Sequence, residues 1–295
     1  MRRRTRRGLF YFSLLIFLIL SWLVVFYALG YKYDFVQNRF FKTGSFEVRT
    51  NINAQIYIND EFAGATSFLG SSFSKSRLLP RTYAVRVQNE KYQSWQKLVD
   101  VEPGVFVNFP RVVLIPQNLA EEVIASSSLS SIASIKFDPK QRTVSVSNKR
   151  QTETISLDNG RRILLLSLIK PAPSPTANSE INLIKSPDGD KGVWLDSREV
   201  WVKWLKDTGY QPTRKAGETE LVTRFSQKIS DVQWYKDSDH LIVDAGGVLK
   251  FIEIDNRGGI NISDVSTIDG PFYYDKGSDV IFKFAGNKLV KIPLR

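Results

Sequence analysis

A mainly β protein carried on one N-terminal membrane helix is the fold class this sequence predicts. Three observations point there. Gly8 to Tyr31 reads GLFYFSLLIFLILSWLVVFYALGY without a charged residue, directly behind Arg2, Arg3, Arg4, Arg6 and Arg7. From Gly44 onward, apolar and polar residues alternate with period two in short runs separated by turn residues. From Ile135 onward, one strand–turn–strand pattern occurs four times.

The first stretch is a span by length. A bilayer core of roughly 30 Å takes about 20 apolar helical residues. A helix apolar on every side belongs in lipid or in the centre of a very large protein. The expected layout is a cytoplasmic basic tail at 1–7 and a transmembrane helix at 8–31. The arginine excess on the N-terminal flank sets that orientation, with the C-terminal domains extracytoplasmic. Tyr11 at one end and Tyr27, Tyr31 and Tyr33 at the other suit the interfacial belts. The competing reading is a cleaved secretory signal ending near Ala28-Leu29-Gly30. Against it stands the length, since a signal's apolar region is about 7–15 residues.

Composition narrows the rest. The chain carries a formal +11. Setting aside residues 1–30 and their five arginines leaves 36 basic side chains against 30 acidic ones, a formal +6. That surplus favours anionic partners such as cell-wall polymers or lipid headgroups, or merely keeps the surface solvated. There is no cysteine, which excludes disulfides, thiol nucleophiles and thiolate metal sites.

Residues 32–43 form a short juxtamembrane stalk, expected to prolong the helix a little and break near Gly44. Residues 44–116 are dense in strand signals. Phe46 and Val48, then Ile56 and Ile58, then Tyr83, Val85 and Val87 each mark one face of a strand. Trp95, Lys97, Val99 and Val101 mark another, and Val105 to Ile115 the last. Asn59-Asp60 and Glu102-Pro103-Gly104 read as turns. Such a run of short strands without a helical period predicts a small β-sandwich. The order Ile56-Tyr57-Ile58-Asn59-Asp60, Gly64-Ala65-Thr66-Ser67, Pro80-Arg81-Thr82-Tyr83 and Lys91-Tyr92 resembles the PEGA domain of bacterial and archaeal surface proteins. Arg81 and Lys91 stand where that family has glycine. The resemblance implies an accessory β-sandwich without chemistry of its own.

Residues 117–134, with a serine cluster at Ser126 to Ser131, read as a connector. The repeat then occupies 135–295. Pro139, Pro187, Lys236 and Lys276 fall at equivalent places, with spacings of 48, 49 and 40 residues. Propeller blades repeat at about 40–50 residues with four strands each. Second strands are expected at Thr143–Val146, Gly192–Leu195, His240–Val243 and Val280–Phe284. Ser186-Pro187-Asp188-Gly189-Asp190 followed by Val193-Trp194-Leu195 resembles the repeat of TolB-type β-propellers, and Val232-Gln233-Trp234 with Asp237 is a degenerate copy. The resemblance implies a small or irregular propeller of about four units. Pro171 to Glu180, PAPSPTANSE, cannot build a core and predicts a mobile loop at 171–180.

Little in the sequence carries chemistry. His240 is the only histidine and has no patterned nucleophile, so a surface or strand-edge position is expected. Asp188 with Asp190 and Asp237 with Asp239 recur at matching turns. Carboxylate pairs serve calcium, but aspartates also hold turns through their own backbone, and the latter is expected. No phosphate loop, dinucleotide fingerprint or metalloprotease motif occurs. Trp201 and Trp204 are candidates for ligand or protein contact. Their spacing prevents both from facing one side of a strand, so one of them is the better exposed aromatic.

The functional expectation is a membrane-anchored extracytoplasmic scaffold or binding protein of the cell envelope, not an enzyme. The alternative is a carbohydrate-binding or hydrolytic envelope protein using the propeller face. No catalytic residue, cofactor, metal or nucleic-acid partner is expected. The expected partners are the bilayer, through the N-terminal helix, and envelope proteins or anionic cell-wall polymers.

Overall fold

Helix α1 runs from Arg3 to Ala28 in the computed structural model, which describes residues 3–67, 71–129, 132–148, 151–163 and 183–295. The loop expected at 171–180 lies outside the described residues. Within α1, Arg6–Ala28 has a mean hydropathy of 2.6, with none of it buried by protein. It is thus an apolar helix long enough to cross a membrane. The helix closes with Leu29 N–H donating to Val25 O, and Gly30 follows at φ +84°. Only a residue without Cβ takes that conformation cheaply.

The helix is not prolonged into the stalk, contrary to the expectation. Residues 31–42 form a hairpin of β1 (Tyr31–Asp34) and β2 (Arg39–Lys42), paired from Tyr31↔Lys42 to Asp34↔Arg39. Two local features turn the chain. Asp34 Oδ1 accepts the Val36 N–H at 2.8 Å, and Asn38 adopts φ +52°. Aromatic residues on both strands also favour the pleated state over more helix.

The chain divides into two compact units, one of Met1–Val87 with Lys97–Val112, the other of Gln88–Gln96 with Val113–Arg295. After the hairpin, the first unit holds two sheets. One has the order β6-β3-β9, with β3 at Gly44–Thr50, β6 at Ser72–Leu78 and β9 at Phe106–Val112. The other has the order β5-β4-β7-β8, with β4 at Gln55–Ile58, β5 at Glu61–Ala65, β7 at Arg81–Gln88 and β8 at Trp95–Val101. The predicted alternation holds. Phe46, Val48, Ile56, Val85, Val87 and Val99 are all at most 1% exposed. Each such burial is worth about 1.5–3 kcal/mol against leaving the side chain in water. The β4–β5 hairpin turns at Asn59 and Asp60, both with positive φ, the conformation a tight two-residue hairpin demands. Pairing of β3 with β9 is parallel, a long-range match no local pattern announces.

Among the described residues, the second unit contains four four-stranded antiparallel sheets. The first is β11 (Ser134–Asp138), β12 (Thr143–Ser147), β13 (Thr152–Ser156) and β14 (Arg162–Ile163). The second is β15 (Ile184–Lys185), β16 (Lys191–Asp196), β17 (Glu199–Trp204) and β18 (Thr219–Arg224). The third is β19 (Ile229–Trp234), β20 (His240–Ala245), β21 (Val248–Glu253) and β22 (Ile262–Thr267). The fourth takes β23 (Phe272–Asp275), β24 (Val280–Ala285) and β25 (Lys288–Pro293) from the end of the chain. Its outermost strand is β10 (Glu122–Ser126), which pairs with β25 through Val123↔Val290. Part of the expected connector is therefore the strand that ties the start of this propeller-like fold to its end. Apolar cores join the second sheet to the third, the third to the fourth and the fourth to the first.

Within the second unit, Gln88–Gln96 is anchored by Gln93 N–H to Ile115 O at 2.9 Å and Gln117 N–H to Lys91 O at 2.9 Å. Of the expected sandwich at 44–116, residues 113–116 and the stretch between β7 and β8 thus group with the second unit.

Candidate functional site at the axis of the four sheets

The repeat read from the sequence is one structural position. Each sheet's first two strands are joined by a turn closed at the same register. The pairs are Asp138↔Thr143, Ser186 N–H to Lys191 O, Tyr235 N–H to His240 O, and Asp275↔Val280. The turns differ in conformation. Gly189 and Ser238 take positive φ in the middle sheets, whereas Arg142 and Asp279 do so one residue later in the outer two.

Aspartates hold these turns. Asp188 Oδ1 accepts from Ser186 Oγ at 2.5 Å and from Asp190 N–H at 3.0 Å. Asp237 Oδ1 accepts from Asp239 N–H at 2.9 Å. Burial opposes the Asp188 charge, but its hydrogen bonds outweigh that and hold the carboxyl below its ordinary range. Among the described residues, no group of three or more metal-ligating side chains gathers to hold an ion.

The turns also grip one another across the sheets. Lys191 Nζ, 2% exposed, lies 2.9 Å from Asp239 Oδ1 and donates to Ser238 O at 3.0 Å, joining the second sheet to the third. Asp279, 1% exposed, accepts from Lys236 Nζ at 2.6 Å, Arg295 Nε at 2.8 Å and Tyr274 OH at 2.8 Å, joining the third to the fourth. Arg142 bonds Asp275 at 2.8 Å, joining the first to the fourth. Burial works against the Asp279 carboxylate, yet its donors win and its pKa falls. Burial raises the Tyr210 phenol to about 12, helped by the neighbouring Asp239 carboxylate.

His240 is not at the surface, contrary to the expectation. It opens β20 as predicted, but it is 2% exposed and stacks on Phe251 with ring centroids 4.9 Å apart. Its Nδ1 meets Asp237 Oδ2 at 2.7 Å. Burial disfavours the imidazolium, but Asp237, then Glu253 and Asp239, more than offset this and raise the pKa. His240 occupies the same repeat position as Lys191, so one buried slot takes a basic side chain in two successive sheets. A single histidine without a motif gave no sign of this, because its partner is recognisable only once the turn is aligned.

At the axis the innermost strands surround a cavity of about 370 Å³, lined by Pro139, Ile184, Lys185, Trp234, Tyr273 and Lys276 among others. All four sheets contribute. Trp234 Nε1 donates to Ile184 O at 2.8 Å, and Gln233 donates to Phe272 O and accepts from Tyr274 N–H, both at 2.9 Å. These bonds stitch the second, third and fourth innermost strands. Lys185 and Lys276 make no ion pair among the described residues. The wall is largely aromatic and carries Lys185 and Lys276 beside Asp275, whose carboxylate is already engaged by Arg142 and Ser278, a surface suited to an anionic ligand.

The two tryptophan candidates separate as the strand period requires. Trp204 is 3% exposed, packs in the core between the second and third sheets and presents nothing to a ligand. Trp201 lies on the opposite face, half-buried, stacked on Trp194 at 5.8 Å and bonded from Nε1 to Glu199 at 2.8 Å. Asp231 and Asp244 are cross-strand partners on β19 and β20. Burial, with a smaller push from Asp244, raises the Asp231 pKa despite its hydrogen bonds.

Neither a protein-family model nor a curated protein matches the sequence. Similar solved structures include the extracellular domain of a hybrid two-component system from B. thetaiotaomicron, 12% identical, TM-score 0.29, covering 90% of this chain and 31% of that one. The β-propeller domain of Cps50 (Swd1) from Myceliophteria thermophila is 8% identical, with TM-score 0.30 and coverage of 72% and 66%. A TolB-type protein from Agrobacterium tumefaciens is 14% identical, with TM-score 0.22 and coverage of 63% and 61%. The chain spans about a third of the length of the first of these. At such scores the likenesses carry no argument, and the propeller reading stands on the strand order itself.

Proposed function

We propose that this is a single-pass membrane protein whose β-rich units work outside the cytoplasm as a non-enzymatic scaffold or binding protein of the envelope. The first unit then acts as a PEGA-type accessory domain, and the axial cavity of the second as the ligand seat. The observation that carries this reading is the division of labour among charged groups. Asp239, Asp275 and Asp279 of the repeat turns are bound to cations of neighbouring sheets, while Lys185 and Lys276 on the cavity wall make no ion pair among the described residues. Such a lining favours an anionic chain, such as a cell-wall polyanion, over bond-breaking chemistry.

The test is retention of the detergent-solubilised full chain on immobilised poly(glycerol phosphate), with a neutral glycan as the second matrix. Retention on the polyanion, lost in Lys185→Glu/Lys276→Glu, supports the reading. Retention on the neutral glycan that is lost in Trp201→Ala favours the carbohydrate-binding alternative. Release of cleaved product, abolished in Asp231→Asn, favours a hydrolase. Topology is read separately. Protease added outside intact cells should digest the chain beyond Tyr31, and full protection would overturn the orientation. A mature protein beginning near Tyr31 would show a cleaved signal.

A further inference from the structure

The β1–β2 hairpin does not stand clear of α1. Thr43 closes its base onto the helix end, with its N–H and hydroxyl both donating to Gly30 O, at 2.8 and 2.7 Å. From there the hairpin folds back along the helix. Phe40 packs edge-on to Phe26 at 5.2 Å and Trp22 at 6.4 Å, and Tyr31 stacks on Phe26 at 4.4 Å. Trp22 lies eight residues before Gly30, about 12 Å along the axis. A helix that spans a bilayer therefore carries the hairpin into the headgroup and upper acyl region. The tip fits that depth, with Phe35 and Val36 being 84% and 88% exposed. Exposed apolar side chains of this size at a loop tip beside a span are expected at a membrane interface.

Between the helix, the hairpin and Arg77 lies a cavity of about 610 Å³, apolar along Leu20, Leu23 and Val24. Its rim carries Lys32 and Arg77. The Arg77 guanidinium sits 3.6 Å over the Tyr27 ring and has no carboxylate partner among the described residues, and neither has Lys32. The groove is continuous with the apolar surface of the span, and among the described residues that line it the charged ones, Lys32 and Arg77, are both positive.

We infer that this groove seats one anionic phospholipid of the bilayer, acyl chain along Leu20, Leu23 and Val24, phosphate between Lys32 and Arg77. The inference rests on the reading of α1 as a membrane span. Two features select the occupant. The apolar floor excludes a free inorganic anion as the sole ligand, since an anion leaves that floor wet. The two cations of the lining select an anionic headgroup over a zwitterionic one, whose own ammonium they repel.

The test uses the full chain reconstituted into vesicles of phosphatidylcholine with or without phosphatidylglycerol. Flotation comes first, then native mass spectrometry of protein released from the mixed vesicles. The expected result is co-flotation with both vesicle types and one retained phosphatidylglycerol, with phosphatidylcholine retained at least fivefold less. The adduct falls at least fivefold in Lys32→Gln/Arg77→Gln, both exposed positions, with the β circular dichroism signal unchanged. Phe40→Ala, which opens the groove floor, lowers it independently. Failure to float overturns the span reading and this inference together. Flotation with no lipid preference, or an adduct indifferent to the double substitution, overturns the lipid site and leaves the anchor standing. A lipid-free dimer whose interface protects the groove also overturns it, assigning the groove to a second copy's helix.

Discussion

Lys191 of one sheet is bound to Asp239 of the next, 2.9 Å apart, with the ammonium almost wholly out of water. This contact connects two copies of the same turn, so it repeats in space what the chain repeats in sequence. A buried pair gives modest net stability, but losing one member strands the other. Lys191→Met should cost about 3 kcal/mol in urea denaturation of the chain lacking residues 1–43. Adding Asp239→Asn should recover a large part of that loss. Equal and additive losses in a double-mutant cycle would show that the two do not interact.

His240 makes stability depend on pH in a readable direction. Its pKa is raised in the folded chain above the ordinary value of about 6.5. The folded state thus binds the proton more tightly than the unfolded state, and the associated stability is complete below about pH 6.5. It is lost as pH rises through the folded-state pKa. Asp237, Asp239 and Glu253 are the charged groups that set this. With one histidine in the chain, its imidazole proton resonances can be followed without ambiguity. The expected titration lies above 6.5, and His240→Gln should flatten the fall in melting temperature over that range. A midpoint below 6.5 would reverse the sign and discredit the pairing.

Gly189 and Asp188 test what the repeated turn is for. Gly189 holds φ +75° with open space where a Cβ would go. A β-branched residue there is penalised by backbone strain and not by collision. Asp188→Ala should cost about 1 kcal/mol through its lost turn hydrogen bonds, and Gly189→Val more. Calcium should leave the melting temperature of either variant and of the parent unchanged. A calcium-dependent rise that a chelator reverses and Asp188→Ala removes would make the turn a metal site.

The β10–β25 pairing ties the start of the four-sheet unit to its end, and the cysteine-free background makes it testable. Val123 and Val290 are direct partners on antiparallel strands. Such partners lie about 4.5–5.5 Å apart at Cα, within reach of a disulfide. Val123→Cys/Val290→Cys should cross-link on mild oxidation and raise the melting temperature in the oxidised form only. Val123→Cys/Ile292→Cys, out of register, should cross-link far less. Equal cross-linking of the two pairs would mean that β10 is not held.

Local patterns carried a good deal of this structure. An uncharged run behind five arginines yields an apolar helix, because length and composition alone decide whether a segment suits hydrocarbon. Alternation of Phe46 and Val48, or Val85 and Val87, fixes which face of a strand is buried, because the pleat has period two. Equivalence of Pro139, Pro187, Lys236 and Lys276 located four hairpins of one register, because the same turn must be rebuilt in every sheet. Beyond reach lay whatever depends on residues far apart in the chain. The stalk became a hairpin because Thr43 and Phe40 return to Gly30 and Phe26. Residues 122–126 became a strand because β25, more than 160 positions later, offers an open edge. His240 passed for a surface residue because a polar side chain at a strand start is usually wet. It is dry here because Phe251 and Asp237 meet around it, and only the folded chain brings that carbon face and that carboxylate to one place.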